Sequence, residues 1–150
     1  MIVIFSIRPR YCKAILNGTK KYEFRKVVPK EVDEVDKYLI YCTSPVQKFV
    51  GEFTVKEVFS GHPSDIWEKC RDFAGIEKKS FNRYFQNREM AFALSIEDIH
   101  SFHPIDPWSI QSDFTPPQSF KYVRDSSVIE QIHEFRQNCN QNDVVLRSIS

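Results

Sequence analysis

The sequence predicts an α+β domain in which a small, mixed β-barrel carries inserted short helices and a C-terminal amphipathic helix. Five or six short stretches are rich in β-branched and aromatic residues, or alternate between apolar and polar residues, as strands do. Short helical patterns lie between them, and no internal repeat is present. The 150-residue chain is 41% hydrophobic, which suits one domain with a real core. Strands interleaved with helices at this length predict a barrel with insertions.

The first part of the chain predicts a strand, a short helix and a second strand. Residues 2–7 are rich in β-branched residues, and Pro9 ends this strand because it cannot donate to a ladder. Apolar residues at helical spacing predict a helix over residues 11–17, which ends at Gly18 in the left-handed conformation. The other strands are predicted at residues 21–25, 37–43, 49–59, 91–96 and 119–123.

Three further helices are predicted, at about residues 65–74, 78–86 and 127–138. Residues 100–113 contain two prolines and are predicted to be mostly irregular. The last helix carries an apolar stripe, so it is predicted to be amphipathic, and the polar tail beyond Asn140 has no clear element.

Composition excludes several classes of protein. No run of about 18 apolar residues is present, so no membrane span is expected, and without a signal-peptide pattern we expect a cytoplasmic protein. The four cysteines are scattered, which favours reduced thiols over disulfides or zinc ligands. His100 and His103 are three residues apart in a predicted loop and are interpreted as solvated. We expect no metal and no cofactor.

The charge is distributed unevenly along the chain. Residues 1–30 contain eight basic residues and one acidic residue, a formal charge of +7, whereas the whole chain carries +1. A segment this basic favours an anionic partner such as phosphate. Four of the basic residues cluster around the first helix and the second strand and are therefore candidate ligand-binding residues: Arg8, Arg10, Lys20 and Arg25.

The stretch from residue 18 to residue 25 concentrates the candidate chemistry. Tyr22 and Phe24 are predicted to point to one side of the strand, and Glu23 and Arg25 to the other, where they would stand about 7 Å apart. Lys20 lies at the turn into this strand. A lysine close to a carboxylate can act as a base when burial lowers its pKa, and an arginine offers a planar fork for phosphate. The alternative is an ion pair that only holds the turn.

Four residues in this stretch spell Gly-x-Lys-x-x-Glu-x-Arg, namely Gly18, Lys20, Glu23 and Arg25. This spelling resembles the signature of the ASCH domain, a branch of the PUA-like superfamily. The resemblance continues through residues 43–45, 50–53, 91–94 and 116–120, and covers roughly residues 2–123. It implies a PUA-like barrel over residues 1–123, with residues 124–150 forming a C-terminal helical extension and tail.

The resemblance implies an RNA or nucleotide-like ligand in the cleft that carries the signature. One ASCH group is similar to amidohydrolases of N4-acetylcytidine, but it has a catalytic threonine where this chain has Glu23. Other members resemble ribonucleases, in which lysine, tyrosine and serine are implicated. We therefore expect an RNA- or nucleotide-binding module. The alternative is a hydrolase of RNA or of a modified nucleoside in which Lys20 and Glu23 are catalytic and Arg25 stabilises negative charge.

Further candidate residues lie in two turns. Ser44 follows a predicted strand, and Gln118 and Ser119 precede the last one, where their polar groups could bond a base edge. Each has the alternative of being an ordinary turn residue. A third and weaker hypothesis is an adaptor that binds a protein partner through its C-terminal helix.

Overall fold

A computed structural model describes residues 1–137 of the chain. Within these residues, six strands are present: β1 (Ile2–Ile7), β2 (Tyr22–Arg25), β3 (Lys37–Cys42), β4 (Lys48–Gly61), β5 (Ala91–Ile105) and β6 (Phe120–Val123). The five α-helices are α1 (Pro9–Leu16), α2 (Pro63–Cys70), α3 (Lys78–Tyr84), α4 (Pro107–Ile110) and α5 (Ser126–Gln137). Single 3₁₀ turns occupy Val32–Glu34 and Arg71–Phe73.

All six strands form one mixed sheet in the order β2-β5-β4-β3-β1-β6. The pair β1–β3 is parallel and the other four pairs are antiparallel. The long strands β4 and β5 shift register at three points along their pairing, and such bulges bend a sheet. The curled sheet with short helices confirms the predicted α+β, PUA-like fold class.

Gly51 lies where β4, β5 and α1 meet. A Cβ atom at this position would stand 2.8 Å from the carbonyl oxygen of His100 and 2.9 Å from Cδ2 of Leu16. Because the nearer of these atoms belongs to the backbone, only glycine allows β5 and α1 to approach this closely.

The core consists of three apolar clusters. The first lies between the sheet and α1 and contains the fully buried rings of Phe5, Tyr38 and Phe53; the last two stack at 5.5 Å. The second lies on the opposite face of β1 and β3, under α4 and α5. The third holds α2 and α3, the helices between β4 and β5, against β2 and β5. The site described below lies between the first and third clusters, which share its walls.

Helix α5 packs back onto the domain. Ile132 is buried in the second cluster, and Val128 and Ile129 pack against that cluster. Arg136 Nε lies 2.9 Å from a carboxylate oxygen of Glu52, a buried residue of β4. The apolar stripe that the sequence suggested for a protein partner therefore contacts this chain's own core, and of its large residues only Phe135 is exposed.

Two predicted boundaries were wrong. Residues 100–105 are not irregular but form the second half of β5, since Pro104 lies where the register with β4 shifts and a ladder donor is not needed. Helix α1 begins at Pro9 rather than at Tyr11, because the missing N–H of proline does no harm in a first helical turn. His100 and His103 accordingly lie on β5, and both are exposed.

The predicted end of the last helix at residue 138 and the predicted tail lie outside the described residues. Over residues 1–137 no helix is both long and apolar enough to cross a bilayer.

Candidate functional site

The side chain of Arg25 links the edge strand β2 to β1 and to the residue that precedes the other edge strand, β6. Arg25 ends β2 at one edge, and its Nη2 donates to the carbonyl oxygen of Ser6 on β1 at 3.0 Å. Its Nη1 donates to the hydroxyl and carbonyl oxygens of Ser119, just before β6, at 3.2 and 3.3 Å. The guanidinium also lies 4.3 Å from the centre of the Phe5 ring. Arg25 therefore bridges the open seam of the barrel.

A cavity of about 440 Å³ opens at this seam. One wall comes from the end of β1, α1 and β2, and the other from the loop before α3 and from α3 itself. Its volume falls within the range typical of small-ligand sites, about 300–1,000 Å³. The lining residues are Ser6, Ile7, Arg8, Arg10, Tyr11, Lys20, Glu23, Phe24, Arg25, Ile76, Ser80, Arg83 and Tyr84.

Lys20 is a buried amine in this cavity, with only 2% of the residue exposed. Its Nζ donates to the carbonyl oxygen of Ala74 at 2.7 Å and lies 4.7 Å from the ring centre of Phe24 and 5.3 Å from that of Tyr11. Burial lowers the pKa of Lys20, the nearby carboxylate of Glu23 opposes this shift, and the Arg25 guanidinium adds to it. A buried amine with a lowered pKa is more easily deprotonated than a surface lysine.

Glu23 is an incompletely satisfied carboxylate beside that amine. Its Oε1 lies 3.7 Å from Nε of Arg25, which is an ion pair but too long for a hydrogen bond. Among the described residues, neither Oε2 of Glu23 nor Nε of Arg25 has a hydrogen-bond partner, and both atoms are buried. Buried polar atoms are normally satisfied, so two adjacent unpaired ones call for an explanation, and a catalytic role or a bound ion or water supplies one.

The mouth of the cavity combines cations with aromatic rings. Arg8 and Arg10 are exposed at the start of α1, and Arg83 is exposed on α3 in the opposite wall. The guanidinium of Arg10 lies 5.4 Å from the ring centre of Tyr11, and Tyr84 is the last residue of α3. Positive charge next to aromatic surface suits a phosphate that carries a flat base.

Most of the site residues predicted from the sequence lie in or beside the cavity. Arg8, Arg10 and Lys20 line the cavity together with the Glu23–Arg25 pair. Ser119 touches the site only through Arg25.

Ser44 and Gln118 are exposed and do not line the cavity, although both were expected to bind the ligand. Ser44 lies in the turn after β3, and Gln118 lies in the segment before β6. The proposed site therefore does not include them.

The wall contributed by the inserted helices was not predicted. Ser80, Arg83 and Tyr84 lie three and four residues apart on α3 and so share one face of that helix. This spacing is visible in the sequence, but nothing local indicates that the face turns toward β2. Tyr11 was also missed, because it was considered only as the first residue of a helix.

A family model described as a domain of unknown function, DUF365, matches residues 1–109. The chain belongs to the DUF365 family. An "ASCH domain-containing ribonuclease" of Zymomonas mobilis subsp. mobilis is 28% identical to this DUF365 chain over 124 residues, which are 81% of this chain and 83% of that protein. This match over most of both chains confirms the resemblance to the ASCH domain.

Two further comparisons bear on the DUF365 chain. A crystal structure of a serine-to-alanine variant of ASCH from Zymomonas mobilis superposes with a TM-score of 0.82 and 25% identity, covering 89% of this chain and 94% of that one. Large ribosomal subunit protein uL22 of Ureaplasma parvum serovar 3 is 28% identical over 123 residues, but the match covers only 39% of that protein.

Proposed function

We propose that this DUF365 chain binds single-stranded RNA, with one nucleotide seated in the seam cavity. The observation that carries the proposal is the arrangement of exposed arginines on two facing walls around a buried amine and carboxylate. The ribonuclease name of the Zymomonas relative, which matches over most of both chains, supports RNA as the ligand.

Each group in the cavity has a role in this proposal. Arg8 and Arg10 on one wall and Arg83 on the other bind the phosphates on the two sides of the seated nucleotide, since guanidinium groups pair with phosphate oxygens. The ammonium of Lys20 keeps N–H donors beyond the one bonded to Ala74 and offers them to the ligand. Arg25 has its terminal N–H groups engaged by Ser6 and Ser119, so it shapes the cavity rather than binding phosphate.

Salt dependence tests the binding proposal. Each phosphate neutralised on a single strand contributes about 0.7 to the slope of log affinity against log salt. The double variant Arg8→Ala with Arg10→Ala should therefore weaken binding of a labelled single strand and reduce the magnitude of that slope by about 1.4. The matched control is Lys13→Ala with Lys30→Ala, which removes the same charge from exposed residues of the same segment that do not line the cavity.

The control should keep both the affinity and the slope of the unaltered protein. If the two double variants behave alike, general charge rather than the cavity accounts for binding, and the proposal fails. An affinity that does not change with salt would also contradict it.

Hydrolysis of the bound RNA is the second candidate, and the lowered pKa of Lys20 favours it. Cleavage by the neighbouring 2′-hydroxyl needs a group that accepts the hydroxyl proton, a cation near the phosphate oxygens and a donor to the departing 5′-oxygen. A neutral fraction of Lys20, oriented by Glu23, would accept the proton of the 2′-hydroxyl as the 2′-oxygen bonds to phosphorus. The bond from phosphorus to the 5′-oxygen would break, and the ammonium formed on Lys20 would return the proton to that 5′-oxygen. The arginines at the mouth would stabilise the developing charge, because Arg25, first expected in this role, is engaged at the seam.

Product analysis distinguishes the two candidates. If the chain is a hydrolase, Lys20→Ala should abolish cleavage of single-stranded RNA, and Glu23→Gln should reduce it strongly because it removes the charge and keeps the shape. If the chain only binds, no product forms at any protein concentration. N4-acetylcytidine serves as the nucleoside probe, and cleavage that persists in Lys20→Ala would overturn the assignment of this cavity.

A further inference from the structure

The aromatic ring of Tyr84 stands where the cavity meets the surface. Tyr84 is the last residue of α3, lines the cavity and is 37% exposed. Behind it, the ring of Phe85 lies 4.7 Å away at 76°, and Phe85 is itself buried in the third core cluster. The exposed ring is therefore fixed to a rigid part of the fold rather than carried on a mobile loop.

A cation accompanies this ring. The Nζ atom of Lys26, the residue after β2, lies 4.6 Å from the ring centre of Tyr84. Arg83 precedes Tyr84 on α3 and lines the same cavity. Two cations and a partly exposed aromatic ring thus stand together at one side of the mouth, with the Lys26 ammonium over the ring. Cations beside aromatic rings are the combination on which single-stranded nucleic acids stack.

The cavity alone does not account for this group. Its volume of about 440 Å³ is at the lower end of the range for small-ligand sites, so it suits one nucleotide and not two. When one nucleotide of an RNA strand occupies the cavity, the rest of the strand extends out through the mouth. The next base then lies beside the exposed ring of Tyr84.

From this geometry we infer that Tyr84, with Lys26 and Arg83, forms a second nucleotide subsite: the base next to the seated one stacks on the Tyr84 ring, and the two cations hold the phosphate that links the nucleotides. This inference rests on the proposed binding of RNA and deepens it. It makes the substrate a polynucleotide of at least two linked residues rather than a free nucleoside.

The test compares ligands that differ by one nucleotide. The probes are the methyl ester of 2′-O-methyluridine 3′-monophosphate, a mononucleotide that carries the linking phosphate without the second nucleoside, and the dinucleotides UpU and UpA. All carry 2′-O-methyl groups so that no 2′-hydroxyl can attack the phosphate. One base stacked on an aromatic side chain is worth about 1–3 kcal/mol, which corresponds to roughly a 5- to 150-fold gain in affinity. The unaltered protein should show a gain of this order for the dinucleotides over the mononucleotide, and the gain should be larger for UpA, because a purine stacks over more area.

Substitutions at Tyr84 separate stacking from packing. Tyr84→Leu keeps an apolar side chain against Phe85 and should bring the ratio of dinucleotide to mononucleotide affinity close to one. Tyr84→Phe keeps the ring and should keep the ratio. Arg8→Ala, on the facing wall, should weaken both ligands while the ratio stays. Phe135→Ala removes a ring of similar exposure on α5 that does not line the cavity, and it should change none of these affinities.

The outcomes separate the inference from the function on which it rests. If neither the mononucleotide nor a dinucleotide binds, the proposed function fails. If the mononucleotide binds and the dinucleotide gains nothing, or if Tyr84→Leu keeps the full ratio, only the second subsite is overturned. Circular dichroism of each variant confirms that the fold is kept.

Discussion

Substitution of Gly75 provides a sharp test of how the site is built. Gly75 lies between the Arg71–Phe73 turn and α3, with φ of +64°, and packs directly on Lys20. A Cβ atom on Gly75 would stand 2.4 Å from Cβ, 2.6 Å from Cγ and 3.0 Å from Cα of Lys20. The nearest atoms belong to the root of the side chain and the backbone, so Lys20 cannot avoid the clash by a rotation at its far end. Gly75→Ala must therefore displace Lys20.

Gly18 supplies a matched control, because its φ is +84° and a Cβ atom there would meet nothing within 4 Å. Alanine in the left-handed region costs about 1–2 kcal/mol at either position. Overpacking adds about 1–3 kcal/mol at Gly75 alone. Urea denaturation should therefore show that Gly75→Ala loses about 1–3 kcal/mol more unfolding free energy than Gly18→Ala.

The functional consequence follows from two neighbouring contacts. The N–H of Lys21 donates to the carbonyl oxygen of Phe73 at 2.9 Å, and Nζ of Lys20 donates to that of Ala74 at 2.7 Å. When Gly75→Ala separates these segments, Lys20 becomes more exposed, and its pKa should return toward the ordinary value. NMR titration of ¹⁵N-labelled lysine amines measures this directly and does not depend on RNA.

In Gly75→Ala, RNA affinity should fall as the pKa of Lys20 returns toward its ordinary value. In Gly18→Ala, the RNA affinity and the pKa of Lys20 should both stay unchanged. Adding Lys20→Gly to Gly75→Ala removes the clashing side chain and should restore part of the lost stability. Equal losses of stability in the two alanine variants would refute the contact. A Lys20 pKa that stays low in Gly75→Ala would refute the proposed control of the amine by the inserted segment.

Three further predictions concern the fold and the buried charges. Gly51→Ala should destabilise the protein by several times as much as Gly61→Ala, since a Cβ atom would meet backbone at 2.8 Å in the first case and only a side chain at 3.9 Å in the second; thermal unfolding of both variants checks this. Glu52→Gln weakens the ion pair with Arg136 and should lower the unfolding free energy by about 1–3 kcal/mol, as measured in urea, with a smaller loss at high salt. Burial lowers the pKa of Lys20 below 10.5, so at this residue the unfolded state binds more protons and its contribution to stability should rise as the pH approaches 10.5. The difference in unfolding free energy between the unaltered protein and Lys20→Met should therefore shift in favour of the unaltered protein in a series of urea denaturations at increasing pH.

The sequence was informative wherever the determinants are local. Alternation placed β2 correctly, and the helix stop at Gly18 with Lys20 after it brought the amine near the strand that carries Glu23. Local signals were misleading at Pro104, because the tolerance for proline within β5 comes from a register shift that depends on the partner strand. The wall formed by α3 was missed for the same reason, since the packing of Phe81 and Phe85 on β2 and β5 is tertiary.

The four signature residues divide between folding and chemistry. Gly18 adopts a positive φ in the turn after α1. The terminal N–H groups of Arg25 donate to Ser6 and Ser119 across the seam. Lys20 and Glu23 keep polar groups free for a ligand, and of Arg25 only the Nε atom has no hydrogen-bond partner among the described residues. The contacts across the seam therefore also form the back of the cavity, because the guanidinium that links β2 to Ser6 and Ser119 stands beside the carboxylate of Glu23. In this chain the residues that resemble the signature lie at the seam and the back of the cavity, whereas the arginines at the mouth and the face of α3, which the proposed function assigns to the ligand, lie outside it.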